Sequence, residues 1–220
     1  MKLEPPAMSN SRTERLPASP MIHGRLVRLT HWVNALAFLV LLLSGWKIYN
    51  ASPVFAFRLP GELTLGGWLG GALLWHFAAM WLLALNGLLY LGYGFLSGHF
   101  RRKLWPVSPA AVWVDIRAAL SGRLAHDDLS VYNAAQRAAY IALILGIGLL
   151  ALSGLAIWKP VQLAPLVQLF GGFDTARVVH FIAMTLTLVV AAVHVLMVVL
   201  VPRTLLAMLI GRLPAARSPQ

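Results

Sequence analysis

Cysteine is absent from the 220 residues, and acidic residues number only 7. Without thiols there is no disulfide, no thiolate zinc site, no cysteine-held iron–sulfur cluster and no CxxCH for covalent haem attachment. Any redox centre would have to lean on histidine. Charge is scarce as well: 11% of residues are Asp, Glu, Lys or Arg, against about 25% in a soluble domain. A water-facing surface all round is therefore excluded. The apolar share of 59% excludes global disorder, which needs low hydrophobicity. A net charge of +11 would suit nucleic acid, but the basic residues fall in short stretches between long apolar runs. That is the pattern of a membrane protein, and nucleic acid is not expected as a partner. No nucleophile–base arrangement or phosphate loop points to substrate chemistry of the chain's own.

Residues 1–22 are polar and proline-rich, with no apolar core of a signal peptide. Residues 1–24 read as a disordered cytoplasmic tail, 25–202 as a transmembrane domain and 203–220 as a cytoplasmic C-terminal tail. Four apolar segments, at about 30–49, 68–97, 133–158 and 175–201, reach the roughly 20 residues that a helix needs to span a bilayer. Asp174 is expected to cap the fourth, Pro202 to close it, and 204–213 to form a short interfacial helix. The loops alternate in charge. Fourteen Lys and Arg lie on the side of the N-terminus, side A, and four (Lys47, Arg58, Lys159 and Arg177) on side B. The positive-inside bias makes side A cytoplasmic, with both termini inside. The expected fold is all-α: a membrane-embedded four-helix bundle in a bacterial inner membrane.

The bundle also reads as a duplicated helical hairpin. Leu43-Ser44-Gly45 near the end of the first span matches Leu152-Ser153-Gly154 near the end of the third. His76-Phe77-Ala78-Ala79-Met80 in the second matches His180-Phe181-Ile182-Ala183-Met184 in the fourth.

Four of the 7 histidines, His31, His76, His180 and His194, fall inside apolar runs. Ionisable groups at membrane depth are costly and mark function by default. His180 and His194 are 14 residues apart, nearly four full turns, so they share one helix face and are separated by about 21 Å along the axis. By depth His76 pairs with His180 near side B, and His31 with His194 near side A. Paired imidazoles facing each other suit six-coordinate haem iron, whereas zinc or copper would want three or four ligands at one depth. Two stacked haems would span the bilayer as an electron path. Arg28 and Arg177 each precede a histidine by three, on the same helix face. Each is placed either to meet haem propionates or to anchor at the interface. His23, His99 and His126, in the tail or the side-A loops, read as solvated or interfacial.

Arg28-Leu-Thr-His31-Trp32, Trp75-His76-Phe77, Arg177-Val-Val-His180-Phe181 and His194 resemble the four-helix, di-haem cytochrome b subunits of respiratory formate dehydrogenases, nickel–iron hydrogenases and thiosulfate reductases. The likeness covers about residues 25–202. Tyr132-Asn133-Ala134-Ala135-Gln136 is similar to a stretch that borders a quinone site in the formate dehydrogenase subunit, with Ala135 in place of glycine. The resemblance implies two b-type haems and a quinone bound near Asn133 and Gln136. Asn133 is equally suited to cap the third helix. The runs 85–90 and 96–102 look closest to the thiosulfate-reductase branch, which implies a periplasmic molybdenum oxidoreductase as partner. The reading is a cytochrome passing electrons between quinone and that partner. Its alternatives are a stand-alone oxidase of a small periplasmic reductant and, from another class, a haem-free transporter. The side-B loops, 50–67 and 159–173, carry Arg58, Lys159, Phe55, Phe57, Leu166 and Phe170. They suit either docking of the partner or burial in lipid headgroups. In the repeat alignment, Tyr140 and Tyr90 take the positions that duplicate His31 and His194, and they are expected to line the side-A haem or a quinone pocket.

Overall fold

The computed structural model describes residues 23–98, 100–101, 104–121 and 133–211. Expectations for residues 1–22, His99, Arg102, Lys103, Arg123, His126, Tyr132, Arg212 and Arg217 lie outside the described residues.

Among the described residues there are seven α-helices and no strand. Four are long and apolar enough to cross a membrane: α1 (Arg25–Ala51), α2 (Leu69–Leu96), α4 (Ala134–Trp158) and α6 (Phe173–Leu200). Three are short: α3 (Pro109–Leu120), α5 (Ala164–Leu169) and α7 (Pro202–Ile210). A 3-10 turn (Gly61–Leu63) interrupts the connection from α1 to α2.

Close backbone packing runs within two hairpins, α1 on α2 and α4 on α6. The seams are made of small residues, which let helix backbones approach where lipid offers no hydrophobic drive. On α1 the buried residues include Thr30, Ala37 and Ser44, and on α2 Ala72, Ala79 and Asn86, each set at a seven-residue spacing. The second hairpin repeats the device with buried Ser153 on α4 and with Ala176 and Ala183 on α6. Gly146 occupies the position that duplicates Ala37. The repeat therefore lies along the packing seam itself.

The hairpins meet each other through side chains. Phe181 of α6 packs on Tyr49 of α1 with ring centroids 4.6 Å apart. Phe77 of α2 packs on Trp158 of α4 at 5.1 Å. These are duplicated positions, so each hairpin inserts the phenylalanine that follows its histidine against an aromatic ring of the other.

Several boundaries differ from expectation. Gly172, at φ 112°, caps α6, and Asp174 lies in the first turn, 3.6 Å from Arg177. The cause is the preceding Gly171-Gly172 pair, which adopts positive φ and turns the chain two residues earlier than an Asp174 cap would. α1 begins at Arg25 because nothing between Gly24 and Thr30 breaks a helix. Pro202 occupies the first turn of α7, where its missing N–H costs nothing. α7 ends at Gly211, whose φ of 81° favours glycine.

On side A the two ends of the described chain lie together. His23 N–H reaches Gly211 O at 3.5 Å, and Arg28 Nη1 donates to Leu209 O at 2.7 Å. Asp115 of α3 accepts from the backbone N–H groups of Ala134 (2.7 Å) and Ala135 (3.2 Å). A carboxylate thus sits at the positive end of α4 and ties α3 to it.

Candidate functional site

Three of the four membrane helices carry the intramembrane histidines. His31 lies near the start of α1, His76 in α2, and His180 and His194 in α6. His31 and His194 face each other across the two hairpins, with ring centroids 6.1 Å apart and planes at 64°. The side-A pair expected from depth is thus in contact, and His76 and His180 are close enough to interact electrostatically. Among the described residues no group of three or more His, Asp or Glu that could hold a metal ion gathers at one point.

The side-B pair is anchored in duplicate. His76 Nδ1 lies 3.1 Å from Ser44 Oγ, and His180 Nδ1 lies 3.0 Å from Ser153 Oγ. Each serine belongs to the other helix of its histidine's own hairpin. Both serines are fully buried.

The side-A pair adjoins a buried amide node. Asn86 Nδ2 donates to Thr30 O (2.8 Å) and to Asn34 Oδ1 (2.7 Å). These bonds cross from α2 to α1 within one turn of His31. Sequence reasoning passed over Asn34, read Asn86 only as part of the run 85–90, and read Ser44 and Ser153 only as letters of a repeat. The available signal was a polar side chain inside an apolar span, since such groups form interhelical hydrogen bonds.

The remaining candidates are placed as follows. Arg28 spends Nη1 on Leu209 O, while its buried Nε has no hydrogen-bond partner among the described residues. Arg177 bonds the Ser52 carbonyl and, at 3.1 Å, the Ser52 hydroxyl, and lies beside Asp174. Asn133 and Gln136 form a reciprocal capping box at the start of α4. Asn133 Oδ1 accepts from the Gln136 N–H at 2.8 Å, and Gln136 Oε1 accepts from the Asn133 N–H at 3.1 Å. Both side-chain oxygens are thereby engaged, and the NH2 groups are what each amide has to offer another molecule. Tyr90 packs on Phe100 at 5.4 Å, and Tyr140 is half-buried on α4. On side B, Phe55 and Phe57 stack on each other and each meets Phe181 edge-to-face. Lys159 lies over the Trp158 ring at 4.7 Å, and Arg58 is exposed.

The profile of the family described as prokaryotic cytochrome b561 matches residues 22–211. The putative protein-methionine-sulfoxide reductase subunit YedZ1 of Azospira oryzae is 54% identical over 190 residues, covering 86% of this chain and 96% of that one. Probable Ni/Fe-hydrogenase B-type cytochrome subunits are more distant. That of Azotobacter vinelandii is 26% identical (79% of this chain, 77% of that one), and that of Cupriavidus necator 28% (77% and 74%). No solved structure matches the chain at a significant level.

Proposed function

The chain belongs to the prokaryotic cytochrome b561 family, and from that premise we propose that it holds two haems b and carries electrons between quinone and a periplasmic oxidoreductase. Membership makes it a multi-pass b-type cytochrome of a prokaryotic membrane. The number of haems, the quinone, the partner and an inner-membrane location with side A in the cytoplasm are this reading's own.

The observation that carries it is the spacing of the side-A pair. Two imidazoles that shared one metal ion, each bonded at about 2 Å, would have ring centroids no more than roughly 6 Å apart. His31 and His194 stand at 6.1 Å. The side-A residues therefore fit a haem, which His31 and His194 would hold, and His76 and His180 would hold the second. Arg28 Nε, which has no hydrogen-bond partner among the described residues, offers a buried donor to a propionate. Arg177 has its guanidinium turned to Ser52, so Arg28 is the better placed of the two.

Bound haem iron supplies one-electron transfer through its ferric and ferrous states. The chain's own part would be to ligate through His31, His194, His76 and His180, to hold these imidazoles at two depths and to exclude water with aromatic and small residues. The relative in Azospira oryzae is named as a subunit of a putative protein-methionine-sulfoxide reductase. On that likeness the partner is a reductase of sulfoxides, of the molybdenum class that the sequence resemblance implies. Electrons then run from quinol to the partner. One quinol gives two electrons and two protons, which convert one sulfoxide to a thioether and one water. The likeness to hydrogenase cytochrome subunits favours a second reading with flow toward quinone, and co-purification of the partner decides between them. Phe55, Phe57, Arg58 and Lys159 supply the side-B face that such a partner would meet.

The reading is tested by a reduced-minus-oxidised spectrum with a haem-to-protein ratio. Two low-spin haems b per chain are expected; a protein without Soret absorbance would be the transporter instead. Asn133 and Gln136 are proposed to donate from their NH2 groups to a quinone carbonyl near the side-A haem. The pair Asn133→Ser and Gln136→Glu keeps oxygen acceptors for the capping box and removes both NH2 donors. Losing one or two such bonds should slow quinol-driven haem reduction about tenfold. Unchanged kinetics in a stopped-flow experiment would remove the quinone assignment.

A further inference from the structure

We infer that Ser44-Gly45 and Ser153-Gly154 are a duplicated clamp, positioning residues that lock His76 and His180 with the proton on Nδ1 and so set the potential of the side-B haem alone. The inference rests on the proposed pairing of His76 with His180 on one haem.

The proton count gives the direction of each bond. A serine hydroxyl has one proton. Ser44 Oγ donates it to the Val40 carbonyl at 2.6 Å, with Leu41 O also near at 3.3 Å. Ser153 Oγ donates to Leu149 O at 2.7 Å, with Leu150 O at 3.3 Å. The hydroxyl oxygen then has only lone pairs left for the imidazole. The Nδ1 contacts of 3.1 and 3.0 Å are therefore Nδ1–H donating to Oγ. In a neutral imidazole this leaves Nε2 as the bare lone pair, the form that a metal requires.

The glycines complete the clamp. A Cβ placed on Gly45 would stand 3.4 Å from His76 Cε1, and one on Gly154 would stand 3.3 Å from His180 Cε1. At both places the ring lies flush against helix backbone. Serine holds one atom of the ring and glycine makes room for the next. Both serines are 0% exposed, so no bulk water competes for the bond. No hydroxyl hydrogen bond to His31 or His194 occurs among the described residues, and the two haems are thereby made unequal.

Hydrogen bonding at Nδ1 makes the opposite nitrogen a more basic ligand. That favours the ferric state and holds the potential down. Removing the acceptors should raise it. The experiment uses purified, haem-loaded protein carrying Ser44→Ala, Ser153→Ala or both, with His180→Ala prepared in parallel. Haem midpoint potentials are measured spectroelectrochemically, and low-spin haem signals by electron paramagnetic resonance. In the double variant one haem should move upward. Its ferric-to-ferrous ratio at fixed ambient potential should fall about tenfold, equivalent to about 59 mV for a one-electron couple. Each single variant should give about half that shift, and the other haem should keep its potential and its signal. Two unchanged potentials, or two that move together, would overturn the clamp. His180→Ala separates the two ideas. If it removes one haem while the serine variants are silent, only the clamp is wrong. If it leaves both low-spin haems, the pairing beneath the clamp is wrong.

Discussion

His180→Ala and His76→Ala should each abolish the same haem, and His194→Ala and His31→Ala the other. The arithmetic is axial. His180 and His194 share one face of α6 but stand about 21 Å apart along it, far beyond the reach of one iron. Each can serve only the histidine at its own depth, and the 6.1 Å separation of His31 and His194 leaves room for nothing longer than two metal–nitrogen bonds. The expected loss is all-or-none: haem content falls from two per chain to one, or one haem converts from low spin to high spin. The four variants should fall into two spectral classes. Two low-spin haems retained in all four would show that these residues are not ligands.

The second large effect is expected within a hairpin. Gly146→Leu should destabilise the protein by about 1–3 kcal/mol through overpacking, while Gly148→Leu should change stability by less than about 0.5 kcal/mol. A Cβ on Gly146 would fall 2.7 Å from Thr187 Oγ1. That hydroxyl is buried in the α4–α6 seam and is itself bonded to Ala183 O at 2.7 Å, so it cannot simply rotate away. Gly148, two residues on, has nothing within 4 Å. The same substitution is thus made once into a seam and once on an open face. Thermal unfolding of the purified holoprotein, followed by the Soret band, reads the difference. Equal losses at both sites would mean that the hairpins are not held by close approach at Gly146.

The four spans, the repeat and the meeting of His31 with His194 were legible in the residues, because each depends on position along a helix axis. Hydropathy gives span length, and the 14-residue interval gives a shared face. The rest depends on the angle at which helices turn toward each other, and a single chain's periodicity does not encode that. Ser44 looks like any helical serine bonded to its own backbone until α2 is laid beside it. Asn86 reads as a polar interruption until Thr30 and Asn34 are opposite. The Asp174 cap failed for a local reason: two consecutive glycines at positive φ offered an earlier turn. For Asn133 the helix-capping role left open in the sequence is the one realised in the fold, and the quinone role must now be argued from its remaining NH2 group.

The meeting of His23 with Gly211, and of Arg28 with Leu209, makes the described chain nearly a ring. Its two hairpins have the same packing grammar and lock together through reciprocal aromatic pairs. Their order along the polypeptide is therefore a matter of connection rather than architecture. A circular permutant that starts at α4, joins residue 211 to residue 23 through a short linker and ends after α3 would keep every span in its original direction and both new termini on side A. What a ribosome makes first is thus free to vary, while the arrangement of imidazoles across the membrane stays the same.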